Sequence, residues 1–195
     1  MATQGSKKQI VILGAGISGH TAARYLLRGR KKTKTPYEVV VVSPNALWNW
    51  IPSNIWVGVG QMTKDQVTFD LNDLYRRIGV PFHQAKALSV HPEGDADDAA
   101  PYVLVEYTSA EKAGQTAKVP YDYLINATGP KLNFGATEGL GPDHGHTVSV
   151  CTADHALEAN HKLQETIAGL RRGEPKTIVI GTGHGTCTCQ GAAFE

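Results

Sequence analysis

A β-branched run ends in a glycine cluster, a helical stretch follows, and a second run and cluster recur 167 residues later; together they predict an α/β fold. The architecture expected is a Rossmann-like domain carrying a β-meander, followed by the start of a second Rossmann-like domain that the sequence cuts short. The boundaries drawn are residues 1–130 for the first domain and 131–195 for the crossover and the incomplete second one.

Gln9 to Leu13 is a β-branched run of the kind buried in a parallel sheet. It feeds Gly14-Ala15-Gly16-Ile-Ser-Gly19, and Ala22, Ala23, Leu26 and Leu27 behind it share one face of a helix. Six basic residues and no acidic one lie between Arg24 and Lys34. A solvated helix end that complements the helix dipole is the plainer reading of that run, and a membrane or polyanion patch is the other. Glu38 to Ser43 is a second buried strand, which closes a βαβ unit. Residues 64–79 carry helical spacing through Phe69, Leu71, Leu74, Tyr75 and Ile78, with Gly79 as the stop, and Val80 to His83 is a third strand. Tyr102 to Thr108 alternates as a strand with one wet face and joins a short strand near Ala117 to Val119 across a turn. This β-meander is expected to pack on the sheet rather than lie in it. Tyr123 to Thr128 returns as a strand and stops at Gly129-Pro130. After a long glycine-bearing loop, a helix is expected from about Thr152 to Leu170, then a buried strand from Thr177 to Ile180 that opens into Gly181-Thr-Gly183-His-Gly185.

Composition bounds the function classes. The 195 residues carry a net charge of +1, which speaks against a general nucleic-acid binder. A 41% hydrophobic share supports a packed core. Three cysteines are poor material for a disulfide scaffold. Met1 to Lys8 has no secretory character, and no run approaches the ~20 apolar residues of a membrane span. The expectation is a soluble or peripherally bound intracellular protein.

In the first cluster, Gly14 permits a tight turn, Gly16 lets backbone N–H groups approach a pyrophosphate, and Gly19 lets helix and strand pack closely. The helix N-terminus adds a partial positive charge. A purely structural glycine turn is the competing reading. Ser43 stands where an acidic residue would hold a ribose, and its hydroxyl can bond a ribose without charge assistance. In the second cluster Thr186 occupies the third glycine position, which weighs against NAD(P) there. Cys189 follows that cluster and Cys151 precedes a helix, both in fields that stabilise a thiolate. Spacing alone leaves redox thiols and inert core cysteines equally open. Cys187 and Cys189 lack the four-ligand spacing of a metal site, so no metal is expected.

Four blocks carry a resemblance: Pro52-Ser-Asn-Ile-Trp-Val-Gly-Val-Gly60, Ala127-Thr-Gly-Pro-Lys-Leu132, His146-Thr-Val-Ser-Val-Cys151 with Asp154-His155, and Cys189-Gln-Gly-Ala-Ala-Phe-Glu195. Together they resemble the sulfide:quinone oxidoreductases, flavoproteins of the two-dinucleotide-domain disulfide reductase group. The resemblance runs from the first strand to the end of the sequence. It implies FAD, non-covalent or thiol-linked, with Gly14, Ala15, Gly16 and Gly19 at the pyrophosphate and Ser43 at the end of the second strand. It implies a backbone contact from Ala87 to adenine, Pro52 and Asn54 beside the flavin, and Thr128 and Gly129 at the crossover out of the FAD domain. Cys189 resembles one of two redox cysteines that take up sulfide sulfur, and Cys151 a further cysteine near the flavin or the sulfide entrance. His155 and Glu195 match polar residues suspected of handling protons, with structural hydrogen bonding as the alternative. Sulfide and a membrane quinone are the implied partners, with no nucleic acid, a possible homo-oligomer, and membrane contact through the C-terminal half. The implied location is cytoplasmic or peripheral on the inner membrane, and the 195 residues alone are expected to be inactive. A type II NADH:quinone reductase, a flavocytochrome sulfide dehydrogenase and an inactive nucleotide-binding remnant are the other readings.

Overall fold

The computed structural model describes residues 7–33, 36–142 and 146–181. In chain order its elements are β1 (Lys8–Leu13), α1 (Ile17–Gly29), β2 (Tyr37–Ser43), β3 (Leu47–Asn49), α2 (Asn54–Gly58), α3 (Lys64–Val67), β4 (Thr68–Asp70) and α4 (Leu71–Ile78). They continue with β5 (Phe82–His91), β6 (Tyr102–Tyr107), β7 (Thr116–Pro120), β8 (Tyr123–Asn126) and α5 (Ala153–Arg171). The chain divides into two compact units, Met1–Trp48 with Asp70–Pro130, and Asn49–Phe69 with Lys131–Glu195.

The first unit is built on one six-stranded sheet in the order β7-β6-β5-β2-β1-β8. Strands β5, β2, β1 and β8 run parallel, the strand order of one half of a doubly wound sheet. Alternation along the β-branched runs sorts their side chains onto two faces. Val11, Leu13, Val40 and Val42 point to the meander and pack with Ala85, Val103, Val105 and Val119. Ile12, Val39 and Val41 point to the helices and pack with Ala23 of α1 and Leu71 and Tyr75 of α4. Each of the valine, leucine and isoleucine side chains among them, fully buried, contributes about 1.5–3 kcal/mol. Strand β8 joins β1 from far along the chain. Asp122 accepts the Gln9 N–H and the Lys8 ammonium, each at 2.7 Å, and its own N–H donates to the Gln9 carbonyl at 2.8 Å.

The meander covers one face of the parallel strands, as expected, yet it is also part of the sheet. Residues Phe82 to Gln84 of β5 pair with β2, and the same strand continues from Ala85 to His91 as the antiparallel partner of β6. Ten residues in one strand span both arrangements, so no break separates meander from sheet. The helix expected over 64–79 is two helices with β4 between them. Thr63 and Gln66 form a capping box for α3, and the Asp70 carboxylate caps α4 by accepting the Asp73 N–H at 2.8 Å. Two caps seven residues apart start two short helices, and Phe69 between them is exposed rather than part of an apolar face.

In the second unit Val57, Val67, Ala153 and Ala156 form a small core with Met62 and Val150. Helix α5 begins where its N-cap predicts, with Thr152 Oγ1 accepting the His155 N–H at 3.1 Å. Its buried positions are Ala153, Ala156 and Gly169, whereas Leu157 and Leu170 of the expected apolar face are exposed. The strand expected over Thr177 to Ile180 is not formed. Those residues are irregular, and Val179 is 88% exposed. A parallel strand needs a hydrogen-bonding neighbour, and among the described residues none pairs with this segment. Beyond Gly181 the second glycine cluster lies outside the described residues.

Candidate functional site

The carboxyl ends of the parallel strands meet at one edge of the first unit. Gly14 leaves β1 with φ +96°, and its N–H donates to the Val42 carbonyl at 2.8 Å. A side chain there would be strained, and its Cβ would lie 2.3 Å from the Ala127 carbonyl oxygen. Gly19, in the first turns of α1, has even less room, since a Cβ would lie 1.9 Å from the Gly14 carbonyl oxygen. These two glycines hold helix and strand together. Gly16 differs, because a Cβ there meets no atom within 4 Å. It is the N-cap of a 13-residue helix with no side-chain cap and no acidic residue in its first turn. The first-turn N–H groups therefore face open space with the positive end of the helix dipole behind them, the physical requirement for an anion site. Ala15 beside them is buried.

Ser43 ends β2, is buried, and lies in register with Gln84 of β5. Ala87 lies three residues further along β5, where the strand no longer pairs with β2 and where a bulge between Ala87 and Ser89 shifts its register against β6. Bulges of this kind re-aim backbone groups beside ligand sites. A cavity of about 390 Å³ opens next to Gln84, lined also by Phe82, Tyr107, Ser109 and Lys112. His83 Nδ1 lies 2.8 Å from the Tyr107 hydroxyl, and burial, then the nearby Lys112, lowers its pKa below the usual histidine range. On the other side of β1, the Ala127 N–H donates to the Leu13 carbonyl at 2.8 Å. Thr128 follows, donating its hydroxyl to Asn126 Oδ1 at 2.9 Å, and Gly129 continues the turn. Gly14, Ala15, Gly16, Gly19, Ser43, Thr128 and Gly129 thus gather at one edge, and Ala87 extends it along β5.

The remaining described candidates belong to the second unit. Pro52 is exposed in the 3₁₀ turn Ile51–Ser53. Asn54 is fully buried, and its amide is engaged in a reciprocal pair with Asn49 at 2.9 and 3.0 Å, while Asn49 also donates to the Val67 carbonyl at 3.2 Å. Cys151 is a half-buried free thiol just before the cap of α5, with its N–H donating to Ser149 Oγ at 3.0 Å. His155 packs against Phe134, ring centroids 5.8 Å apart, and its buried Nδ1 has no hydrogen-bond partner among the described residues. Cys187, Cys189 and Glu195 lie outside the described residues. Sequence reasoning passed over Asn126 and Asn49. Asn126 carries a local signal, a turn-forming side chain two residues ahead of the strand-ending turn. Asn49 carries none, since its role exists only through Asn54. Among the described residues no cluster of His, Cys, Asp and Glu could hold a metal ion.

Comparison with known proteins decides the family. The model of the pyridine nucleotide-disulphide oxidoreductases matches residues 8–193. This chain belongs to that family. The sulfide-quinone reductase of Aquifex aeolicus is 31% identical over 96% of the chain, which spans 37% of that protein. The type II NADH:quinone oxidoreductase of Haemophilus influenzae is 26% identical over 81% of the chain and 34% of its own length. The X-ray structure of the Aquifex aeolicus sulfide:quinone oxidoreductase superposes with a TM-score of 0.64 at 31% identity, covering 83% of this chain and 32% of that one. The chain therefore spans about a third of the length of these relatives. Pyridine nucleotide-disulphide oxidoreductases of this kind are FAD-binding flavoproteins. The residues present fit that group, since the opening over Gly16 and the uncapped amides of α1 suit a pyrophosphate. No helix among the described residues is long and apolar enough to cross a membrane.

Proposed function

We propose that this chain supplies the FAD site of a flavin-dependent reductase that oxidises sulfide and passes the electrons to quinone. The observation that carries the reading is the carboxyl edge of the sheet, where Gly16 is open and Gly14 and Gly19 are packed shut. The first-turn amides of α1, with Ala15 and Gly16, hold the pyrophosphate, the Ser43 hydroxyl meets a ribose, and the Ala87 backbone meets adenine. Thr128 and Gly129 shape the chain where it leaves the FAD domain, which is assigned to residues 1–130, although Asn49–Phe69 within it groups with the second compact unit. Residues 131–195 begin a second dinucleotide-binding-like domain. Pro52 borders the flavin, and Asn54 positions that segment through its pair with Asn49. Bound FAD supplies a two-electron carrier between a sulfur donor and a quinone.

Cys189 forms a disulfide with a second cysteine, and hydrosulfide attacks it. One S–S bond forms as the other breaks, leaving a persulfide on one cysteine and a thiolate on the other. His155 offers Nδ1 as an unengaged proton site, and Glu195 is assigned a similar role. Cys151 contributes a thiol near the flavin or the sulfide entrance.

Similarity to the sulfide-quinone reductase over nearly the whole chain favours sulfide as donor, whereas similarity to NADH:quinone oxidoreductases supports NADH. Thr186 at the third glycine position of the second cluster weighs against NADH. The test is spectroscopic, on the full-length, flavin-loaded protein that carries both cysteines. Sulfide followed by quinone should bleach and then restore the visible flavin band, and NADH should leave it oxidised. Cys189→Ser should keep the flavin and lose the sulfide response. Rapid bleaching by NADH, or an unchanged sulfide response in Cys189→Ser, overturns the assignment.

A further inference from the structure

The charge of this chain is unevenly spread. Its first 37 residues hold eight lysines and arginines and no aspartate or glutamate, and the remaining residues carry a net charge of −7. Lys7 and Lys8 are paired with Glu38 and Asp122. The remaining cations belong to α1 and the segment behind it, whose start is a 3₁₀ turn at Arg30–Lys32. Arg30 is tied to the Tyr37 carbonyl at 3.2 Å, but Arg24, Arg28 and Lys32 are exposed and form no ion pair among the described residues. Helix α1 turns Gly19 and Ala23 inward, so its solvent face presents Ile17, Thr21, Arg24, Tyr25 and Arg28, with Tyr25 69% exposed, and Lys32 is exposed in the 3₁₀ turn behind it. The last turn lies at the amino edge of the sheet, where the Tyr37 hydroxyl donates to the Leu26 carbonyl at 2.5 Å.

We propose that this face of α1 docks the protein on an anionic lipid surface. The helix lies in the headgroup plane, with Arg24, Arg28 and Lys32 on lipid phosphates and Tyr25 at the boundary of headgroups and acyl chains. Clustered basic residues and an exposed tyrosine are the side chains such a boundary selects. The residues after Tyr37 carry a net charge of −7, which speaks against a general nucleic-acid binder. This surface is distinct from the C-terminal contact that the resemblance implies, and it does not rest on the sulfide or quinone assignment.

Sedimentation of the 195-residue chain with vesicles tests it. The chain should bind vesicles of mixed phosphatidylcholine and phosphatidylglycerol, should not bind phosphatidylcholine alone, and should release in high salt. Neutralising Arg24→Gln, Arg28→Gln and Lys32→Gln together should weaken partition about a hundredfold. The triple Arg77→Gln, Lys86→Gln and Lys131→Gln changes the net charge equally on exposed positions elsewhere and should bind as the parent does. Should the first triple lose its circular dichroism spectrum, Arg28→Gln alone should weaken partition about fivefold. Absence of binding by the parent chain overturns the proposal. So does an equal loss in both triples, which would make net charge the cause. Capture by duplex DNA at the same concentrations, without preference for the bilayer, also overturns it.

Discussion

Replacing Gly16 and Gly19 separately with alanine divides one motif into its structural and its ligand-binding parts. At Gly19 the new methyl would lie 1.9 Å from the Gly14 carbonyl oxygen and 2.9 Å from its carbon, and both are backbone atoms. Ordinary contact begins at 3.4 Å, so α1 and the β1 turn must separate by about 1.5 Å. Overpacking of this kind costs about 1–3 kcal/mol or more, with or without flavin. At Gly16 the methyl meets nothing within 4 Å, and φ −69°, ψ −165° suits alanine. The folded protein loses only the advantage of glycine over alanine at an N-cap, under about 1 kcal/mol. The pyrophosphate would nonetheless meet the methyl instead of one or two amide N–H groups. Charge-assisted bonds of this type are worth about 1.5–3 kcal/mol each, so Kd for FAD should rise at least tenfold. Urea unfolding of the flavin-free protein and quenching of FAD fluorescence measure the two quantities independently. If Gly16→Ala binds FAD as the parent does, or destabilises the flavin-free fold as much as Gly19→Ala, the division of roles is wrong.

Asn54→Ala empties a fully buried site and takes the half-buried Asn49 amide oxygen's donor away, leaving Asn49 its bond to the Val67 carbonyl; it should cost about 1–3 kcal/mol in urea unfolding, with the Asn49→Ala, Asn54→Ala double variant costing less than the sum of the singles. The Asp95 carboxyl is held well below the usual carboxylate range by Lys118, then by the Tyr102 hydroxyl, with the Asp98 and Asp97 N–H groups adding to the effect. A depressed folded pKa gives stability that is present above the unfolded value near 4 and is lost as pH falls below it. Thermal midpoints should therefore be flat from neutral pH to about 5 and drop below about 4, more steeply in the parent than in Asp95→Asn. Burial pushes the Tyr75 hydroxyl up to about 12. Its contribution is full below the unfolded value near 10 and is lost as pH rises toward 12, so Tyr75→Phe should flatten alkaline unfolding over that interval.

The parallel half of the fold was legible because β-branched runs such as Val39 to Val42 bury both of their faces and have no other stable placement. Local pattern failed wherever the outcome depended on a partner. Thr177 to Ile180 has strand composition, yet it stays exposed, with no neighbouring strand among the described residues. Residues 64–79 keep a helical period across a break that two capping side chains, Thr63 and Asp70, impose. The meander alternated visibly at Tyr102 to Tyr107, but its fusion to the sheet through β5 lies in a register that no single segment encodes. At the site, the letters Gly14, Gly16 and Gly19 were readable as a motif. Which glycine is open and which are packed emerged only once Ala127 had been brought beside them by β8.

The pairing of β1 with β8 also sets a schedule for biosynthesis. Gln9 must wait for Asp122, 113 residues later, before the outer edge of β1 is closed. At ~5–20 residues per second, a ribosome leaves that edge open for about 6–20 s after β1 has been made. An open edge with buried-type residues is where other chains attach. The newborn chain is thus most exposed to aggregation at this edge before Asn126 emerges, and faster elongation should raise its soluble yield.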